Sequence, residues 1–433
     1  MKSKMIFTSV AILAVVSLVL AACGSNDDSS SDTTAPTTTA APTTVAPTTT
    51  VAPCAMDDTL KLGYILPSTG SLAFINDPMV KAVELAVSEI DDEGIQDIEM
   101  TAGDSGTSPD VANTTADSLL SADVQGIIGA ASSGISLSII DKITGAGIPM
   151  ISPSNTAPTF TTYDDNDLYF RTAPTDELQG RVIGDLVTDD GARSAMVLYR
   201  NDAYGVALAE TAERQLIDNG VESAGRLALD PEGSTFTSEV QEVAAAGVDA
   251  VILIAFDEGG RVIAQMIEAG ITPANTAMYT PDGMASDTTW ELVDPDDPSA
   301  VQGMRGTRPA PTEGAEGTFS DRFAEFAPDV DELFSSNAYD AAIIYALASL
   351  AACSTDAADF APMINDITRG GTKCSLYADC AQLILDGTDI DYDGASGPLD
   401  FVDAGEPGVG TYELWEFDAE GKVQPFGTRT VSG

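Results

Sequence analysis

From Leu60 onward one pattern recurs: a short apolar run, a turn of small residues, then apolar positions at helical spacing. Strands are predicted over 60–66, 98–102, 126–128, 148–151, 195–199, 250–254 and 277–279. Helices are predicted between them, over 108–120, 177–186, 205–217, 237–246 and 258–269. The first helix is expected to start at Asp77-Pro78, a cap followed by a proline whose missing N–H costs nothing there. Its apolar face is Met79, Val80, Val83, Ala86, Val87 and Ile90. Strands alternating with helices specify parallel sheets covered on both faces, the α/β class. Ligands in such sheets bind beyond the carboxyl ends of the strands.

Two such units follow in series. The crossings between them are placed at Tyr169–Pro174 and Gly303–Pro309, followed by helical sequence over 336–351 and a β-rich tail containing Gly397–Phe401 and 412–417. The expected fold is two doubly wound lobes with parallel sheets joined by a multi-strand hinge. Lobe 1 takes 58–172 and 309–397; lobe 2 takes 173–308 and 398–433. Roughly 375 residues are too many for one compact core and comfortable for two.

The N-terminus has a different character. Lys2 and Lys4 precede an apolar run from Met5 to Leu20, too short and too abruptly ended for a stable membrane span and typical of a secretory signal. It closes on Leu20-Ala21-Ala22-Cys23-Gly24, which resembles the bacterial lipobox; residues 1–22 are then a signal peptide and Cys23 the lipid attachment point. Two acyl chains suffice for stable anchoring. Residues 23–57 are assigned to a disordered tether, because from Gly24 to about Pro53 the chain is mostly Ser, Asp, Thr, Pro and Ala with nothing to bury. The expected location is extracytoplasmic, on the outer face of the cell membrane.

Charge and composition exclude several functions. The chain has 19 basic and 68 acidic residues, a net charge of −49, which argues against nucleic acid or anionic lipid as a partner. Histidine is absent, so triads that need imidazole and metal sites built on it are ruled out. No metal or cofactor is expected. Besides Cys23 there are four cysteines, an even number that in an exported protein favours disulfides. Three pairings are open. The short spacing of Cys374 and Cys380 makes a small loop plausible and leaves Cys54 for Cys353; free thiols are the alternative. Asp389-Ile390-Asp391-Tyr392-Asp393-Gly394, with Asp400 further on, has calcium-loop spacing, but without a flanking helix pair it reads as a turn.

Several landmarks occur in a fixed order: Leu66-Pro67-Ser68-Thr69-Gly70, Gly129-Ala130-Ala131-Ser132-Ser133-Gly134, Ile151-Ser152-Pro153-Ser154-Asn155-Thr156-Ala157-Pro158, Phe170-Arg171-Thr172-Ala173, Asp202-Ala203-Tyr204-Gly205 and Gly397-Pro398-Leu399. In this order the chain from Leu60 resembles the type I solute-binding proteins of ABC transporters, in the branched-chain amino acid-binding branch. The resemblance implies that Ser133 and Thr156, with Ser132 beside them, take an α-carboxylate and that the backbone near Ser154 receives the ammonium. Where that family has Pro-Glu-Gly this chain has Pro281-Asp282-Gly283, which makes Asp282 the candidate carboxylate for the ammonium, with Glu258 as fallback. Tyr204 is expected over the ligand, and Phe256, Ile75 and Phe74 in the side-chain wall. The residues themselves agree. Ser133 and Thr156 follow two separate strands, and a helix N-terminus among small residues favours an anion.

The implied function is a monomeric binding protein rather than an enzyme, one that captures an amino acid and delivers it to an ABC permease. Alternatives are the same fold binding an amide, urea or aromatic acid, a surface sensor module, and a carboxylate-dependent hydrolase.

Overall fold

A computed structural model of the chain describes residues 54, 56, 58–311 and 316–433. The predicted signal segment, Cys23 and nearly all of the tether lie outside the described residues.

The strands are β1 (Leu60–Leu66), β2 (Ile98–Asp104), β3 (Gly126–Gly129), β4 (Met150–Ser152), β5 (Tyr169–Arg171), β6 (Ser194–Arg200), β7 (Glu222–Leu229), β8 (Ala250–Ile254), β9 (Ala277–Thr280), β10 (Arg305–Pro309), β11 (Thr372–Cys374), β12 (Ile390–Gly394), β13 (Gly397–Pro398), β14 (Val409–Phe417) and β15 (Val423–Ser432). The first lobe holds a five-stranded sheet in the order β2-β1-β3-β4-β5, parallel throughout. Alternation along β1 explains how both its faces are filled. Leu60, Leu62 and Leu66 pack on the helices Asn76–Glu93 and Ser335–Ala352, whereas Ile65 joins the helices Pro109–Ser121 and Ser133–Thr144 on the other face. The helix Ser335–Ala352 is buried on nearly every side, as expected of a helix that is apolar all round. Among the described residues no single helix is long and apolar enough to cross a membrane.

The second lobe holds a seven-stranded sheet, β15-β14-β10-β9-β8-β6-β7. Its β7-to-β10 part is parallel, and β14 and β15 are added antiparallel at one edge. The helices Asp176–Asp189 and Ala203–Asp218 cross closely because Gly180 has no side chain; a Cβ there would lie 2.6 Å from Thr211 Cβ. A third small sheet joins β11, β12 and β13.

Several boundaries differ from the sequence reading. Both predicted crossings begin as strands: Tyr169–Arg171 is an edge strand, and Arg305–Pro309 lies inside the second sheet between β9 and β14. The chain therefore leaves the sheets at Thr172 and Ala310. The first helix starts at Asn76, ahead of Asp77, because a 3-10 turn over Ala73–Ile75 runs straight into it. β7 and β15 were missed; most of their side chains are exposed or half-buried, so neither carries the apolar alternation that marks a strand. The predicted turn with calcium-loop spacing is largely strand β12, and the cation among its carboxylates is Lys373, whose Nζ lies 3.0 Å from Asp391, 2.8 Å from Asp393 and 3.3 Å from Asp400.

The cysteines pair as Cys54–Cys353 and Cys374–Cys380, spanning 299 and 6 residues of sequence. The lobes are tied where the chain crosses. The Thr172 hydroxyl donates to the Asn337 carbonyl at 2.8 Å and Asn337 Nδ2 donates back to the Thr172 carbonyl at 2.9 Å. Next to them Arg171, 1% exposed, forms an ion pair with Glu406, 5% exposed, from the last crossing.

Candidate binding cleft

The five-stranded sheet delivers two loops from the carboxyl ends of β3 and β4, and hydrogen bonds lace them together. Ser133 Oγ accepts the backbone N–H groups of Thr156 and Ala157, each at 3.3 Å. Ser154 Oγ donates to the Ala131 carbonyl at 3.2 Å, and Asn155 Nδ2 donates to the carbonyls of Ala130 and Ala131 at 3.0 and 2.8 Å. Cross-linked loops hold their shape without a ligand. The helix Ser133–Thr144 begins at the same place and its capping residue Ser132 makes no side-chain cap. An anion seated there meets unpaired N–H groups and the positive end of the helix dipole.

The second lobe supplies the opposite wall. Tyr204 stands in the first turn of the helix Ala203–Asp218, Phe256 just past β8 and Asp282 just past β9. Together with Leu72, Ile75, Ala131, Phe334, Ser132, Ser133, Ser154 and Thr156 they line one tight cavity between the lobes. Of the ligand-site residues expected from the sequence, Ser132, Ser133, Ser154, Thr156, Tyr204, Phe256, Asp282 and Ile75 therefore line one cavity.

Asp282 sets the electrostatics. It is 6% exposed and accepts a 2.6 Å hydrogen bond from Gln179 Nε2, which also reaches Thr307. Burial pushes its carboxyl up to about 6, with the Gln179 bond pulling the other way. Close by is a second carboxylate, Asp176, fully buried and raised well above the usual carboxylate range, first by burial and then by the charge on Asp282. The Thr156 hydroxyl is near enough to oppose that rise, yet neither oxygen of Asp176 meets a donor in hydrogen-bonding geometry among the described residues. Gln179 Oε1 and the Tyr204 hydroxyl are also buried without a partner. These buried polar groups near Asp282 thus lack hydrogen-bond partners, and such groups are costly unless something pairs with them. A group with several N–H bonds and a positive charge meets that need.

Asp176 and Gln179 escaped the sequence reading. The signal was present: they stand at i and i+3 in a helix whose other inward positions, Leu178, Val182, Ile183 and Leu186, are apolar. Glu258, the fallback for the ammonium, is engaged elsewhere. Its Oε1 lies 2.6 Å from Arg200 NH1, and Asp202 holds the same guanidinium at 2.7 Å. Phe74 lines an adjoining pocket rather than the cavity. Among the described residues no group of three or more His, Cys, Asp or Glu side chains is arranged to hold a metal.

Similarity to known proteins follows the same outline. A family model described as periplasmic binding protein matches residues 59–422. A Leu/Ile/Val-binding protein homolog 2 from Brucella abortus is 26% identical over 382 residues, covering 85% of this chain and 93% of the relative. Among solved structures, the branched-chain amino acid transporter substrate-binding protein LivJ from Streptococcus pneumoniae, in complex with isoleucine, superposes with a TM-score of 0.71 at 19% identity, covering 87% of this chain and 100% of its own. A solute-binding protein of an ABC transporter from R. palustris, in complex with benzoate, gives 0.70 at 19% identity, with 87% and 98% covered. With the family model spanning both lobes and the cleft between them, the chain belongs to the periplasmic binding protein family.

Proposed function

We propose that this protein captures a small α-amino acid, branched-chain or similar, between its lobes and delivers it to an ABC permease without chemical change. The observation that carries this reading is the buried Asp282 carboxyl, with Asp176 close by, facing the N-terminus of the helix Ser133–Thr144 across one small cavity. A zwitterion with an apolar side chain satisfies both ends and the apolar wall at once. A carboxylic acid without an ammonium would leave the Asp282 carboxylate without a counter-charge.

Closure stabilises the loaded form through contacts that only the ligand makes with both lobes. The lobes divide at 58–172 with 309–397 and 173–308 with 398–433, and the protein acts as a monomer. Cys23 carries the lipid that keeps it at the outer face of the membrane. Metabolic labelling with a radioactive fatty acid tests this: the label enters the wild-type protein and is absent from Cys23→Ser, and equal labelling of both would refute the anchor.

A second reading, an aromatic acid as cargo, draws support from the benzoate-bound relative of the same fold. A thermal-shift screen of the untethered domain, begun ahead of Cys54 so that its bridge to Cys353 is kept, separates the two, because a compound that binds only the folded state raises the midpoint. Stabilisation by leucine, isoleucine or valine is the expected result. Stabilisation by benzoate, urea or an amide alone would refute the amino-acid reading.

A further inference from the structure

The wall of the ligand cavity has a small crevice on its far side. Phe256 lines the cavity and also this second, narrow space, whose other boundaries include Phe74, Asp257, Met284, Thr288, Thr289 and Leu292. One side chain is therefore shared by two chambers. Whether such a wall can swing aside depends on what holds it.

Phe256 is held from several directions. The Arg200 guanidinium lies over its ring with Cζ 3.6 Å from the centroid, and the Tyr204 ring stacks on it at 5.5 Å and 17°. Arg200 is in turn fixed by ion pairs to Glu258 and Asp202 at 2.6 and 2.7 Å. Glu258 Oε1 also accepts the backbone N–H of Phe256 at 3.2 Å, so one carboxylate clamps both members of the stack. At the ring's edge Gly283 leaves no slack: a Cβ there would lie 2.9 Å from Phe256 Cδ1. A cation over an aromatic face inside a desolvated site is attracted to the ring and holds it in one rotamer.

We propose that the Arg200–Phe256 stack is a fixed partition that sets the longest side chain this protein accepts, and that the chamber beyond it is a subsite for longer, aromatic side chains once the partition is removed. Arg200 acts as a positioning residue and touches no ligand. The inference rests on the cavity being the solute site, but not on the solute being an amino acid.

The test uses the untethered domain with two series of probes of increasing length, valine, leucine and phenylalanine, and the ammonium-free isovalerate, benzoate and 3-phenylpropionate. Calorimetric affinities are measured for the wild type, Phe256→Ala and Phe256→Leu, each first checked for a cooperative thermal transition. In whichever series binds, the wild type favours the shorter members, and Phe256→Ala shifts the preference toward the longest by roughly tenfold or more, the scale of a pocket that admits extra methylenes. Thr288→Trp, at an exposed position on the second chamber, cancels the shift in the Phe256→Ala background and leaves the wild-type preference unchanged. Binding by the acid series alone would overturn the amino-acid reading while still testing the partition. Equal loss for every length in both folded Phe256 variants would overturn the partition.

Discussion

Asp282→Asn is expected to yield a protein that is more stable when empty and about 100-fold or more weaker for its amino acid, the scale of truncating one partner of a desolvated charge pair. Both effects have one cause. The Asp282 carboxyl stands at about 6 in the folded chain because burial penalises its charge, against about 4 when unfolded. A raised acid favours the protonated fold, so its stability contribution is complete below pH 4 and lost as the pH rises through 6. At pH 7.5 the wild type carries that cost in full, and two pKa units correspond to about 3 kcal/mol. Asparagine keeps the acceptor for Gln179 and removes the charge. Asp257 and Asp340 are also raised to about 6 by burial, so the wild-type pH profile alone mixes several titrations. The difference between the two proteins, followed by thermal denaturation from pH 4 to 8, removes the contributions of Asp257 and Asp340 and reports Asp282 together with Asp176, which its charge raises. For the wild type, affinity for leucine is expected to rise over the same interval as the site gives up its proton to take the ammonium. A variant that unfolds and binds leucine like the wild type would sink the assignment.

The second large effect is expected at the crossing between the lobes. Arg171 Nε donates to Glu406 at 2.8 Å, NH1 donates to the carbonyls of Ala157 and Asn155 at 2.9 and 3.3 Å, and NH2 donates to the Thr161 hydroxyl at 3.1 Å. One guanidinium thus anchors the loop that carries Thr156 to the last crossing of the chain. Arg171→Met leaves Glu406 buried without its counter-charge and is expected to cost about 3–5 kcal/mol. The double variant Arg171→Met/Glu406→Leu is expected to regain most of that stability while binding stays weak, because the loop carbonyls have still lost their donor. Urea unfolding of the four proteins of the cycle measures the first part and calorimetry the second. A single variant costing under 1 kcal/mol, or a double variant that binds normally, would contradict this role.

The sequence carried much of this architecture because a buried parallel strand and an amphipathic helix have strong and different periods. β1, β8 and the helix Thr237–Ala246 fall where their apolar residues place them. Edge elements escaped for the opposite reason: β15 reads VQPFGTRTVS, pairs with one neighbour, and gains its structure from β14 rather than from its own pattern. The cleft divides along a similar line. Ser133, Thr156 and Asp282 follow strand ends, a position visible in the sequence. Asp176 and Arg200 do not stand out among 68 acidic and 19 basic residues, because burial without a partner, or beneath a phenylalanine ring, is decided by residues far away in the chain. A charged residue inside the apolar face of a predicted helix is the trace that such burial leaves.

The disulfide Cys54–Cys353 has a mechanical side. Cys353 caps the helix Ser335–Ala352 at the end opposite Phe334, which borders the cavity. Eighteen residues of helix span about 27 Å. A pull on the N-terminal chain reaches Cys54 before it reaches β1, and the sulfur bridge hands the load to the far end of that helix. The strand whose carboxyl end leads to Leu72 and Ile75 then carries little of it, much as a clamp on a cable protects the joint behind it. A load applied ahead of Cys54 would be borne by the first lobe away from the cleft, and the cleft would open and close on its own free energy.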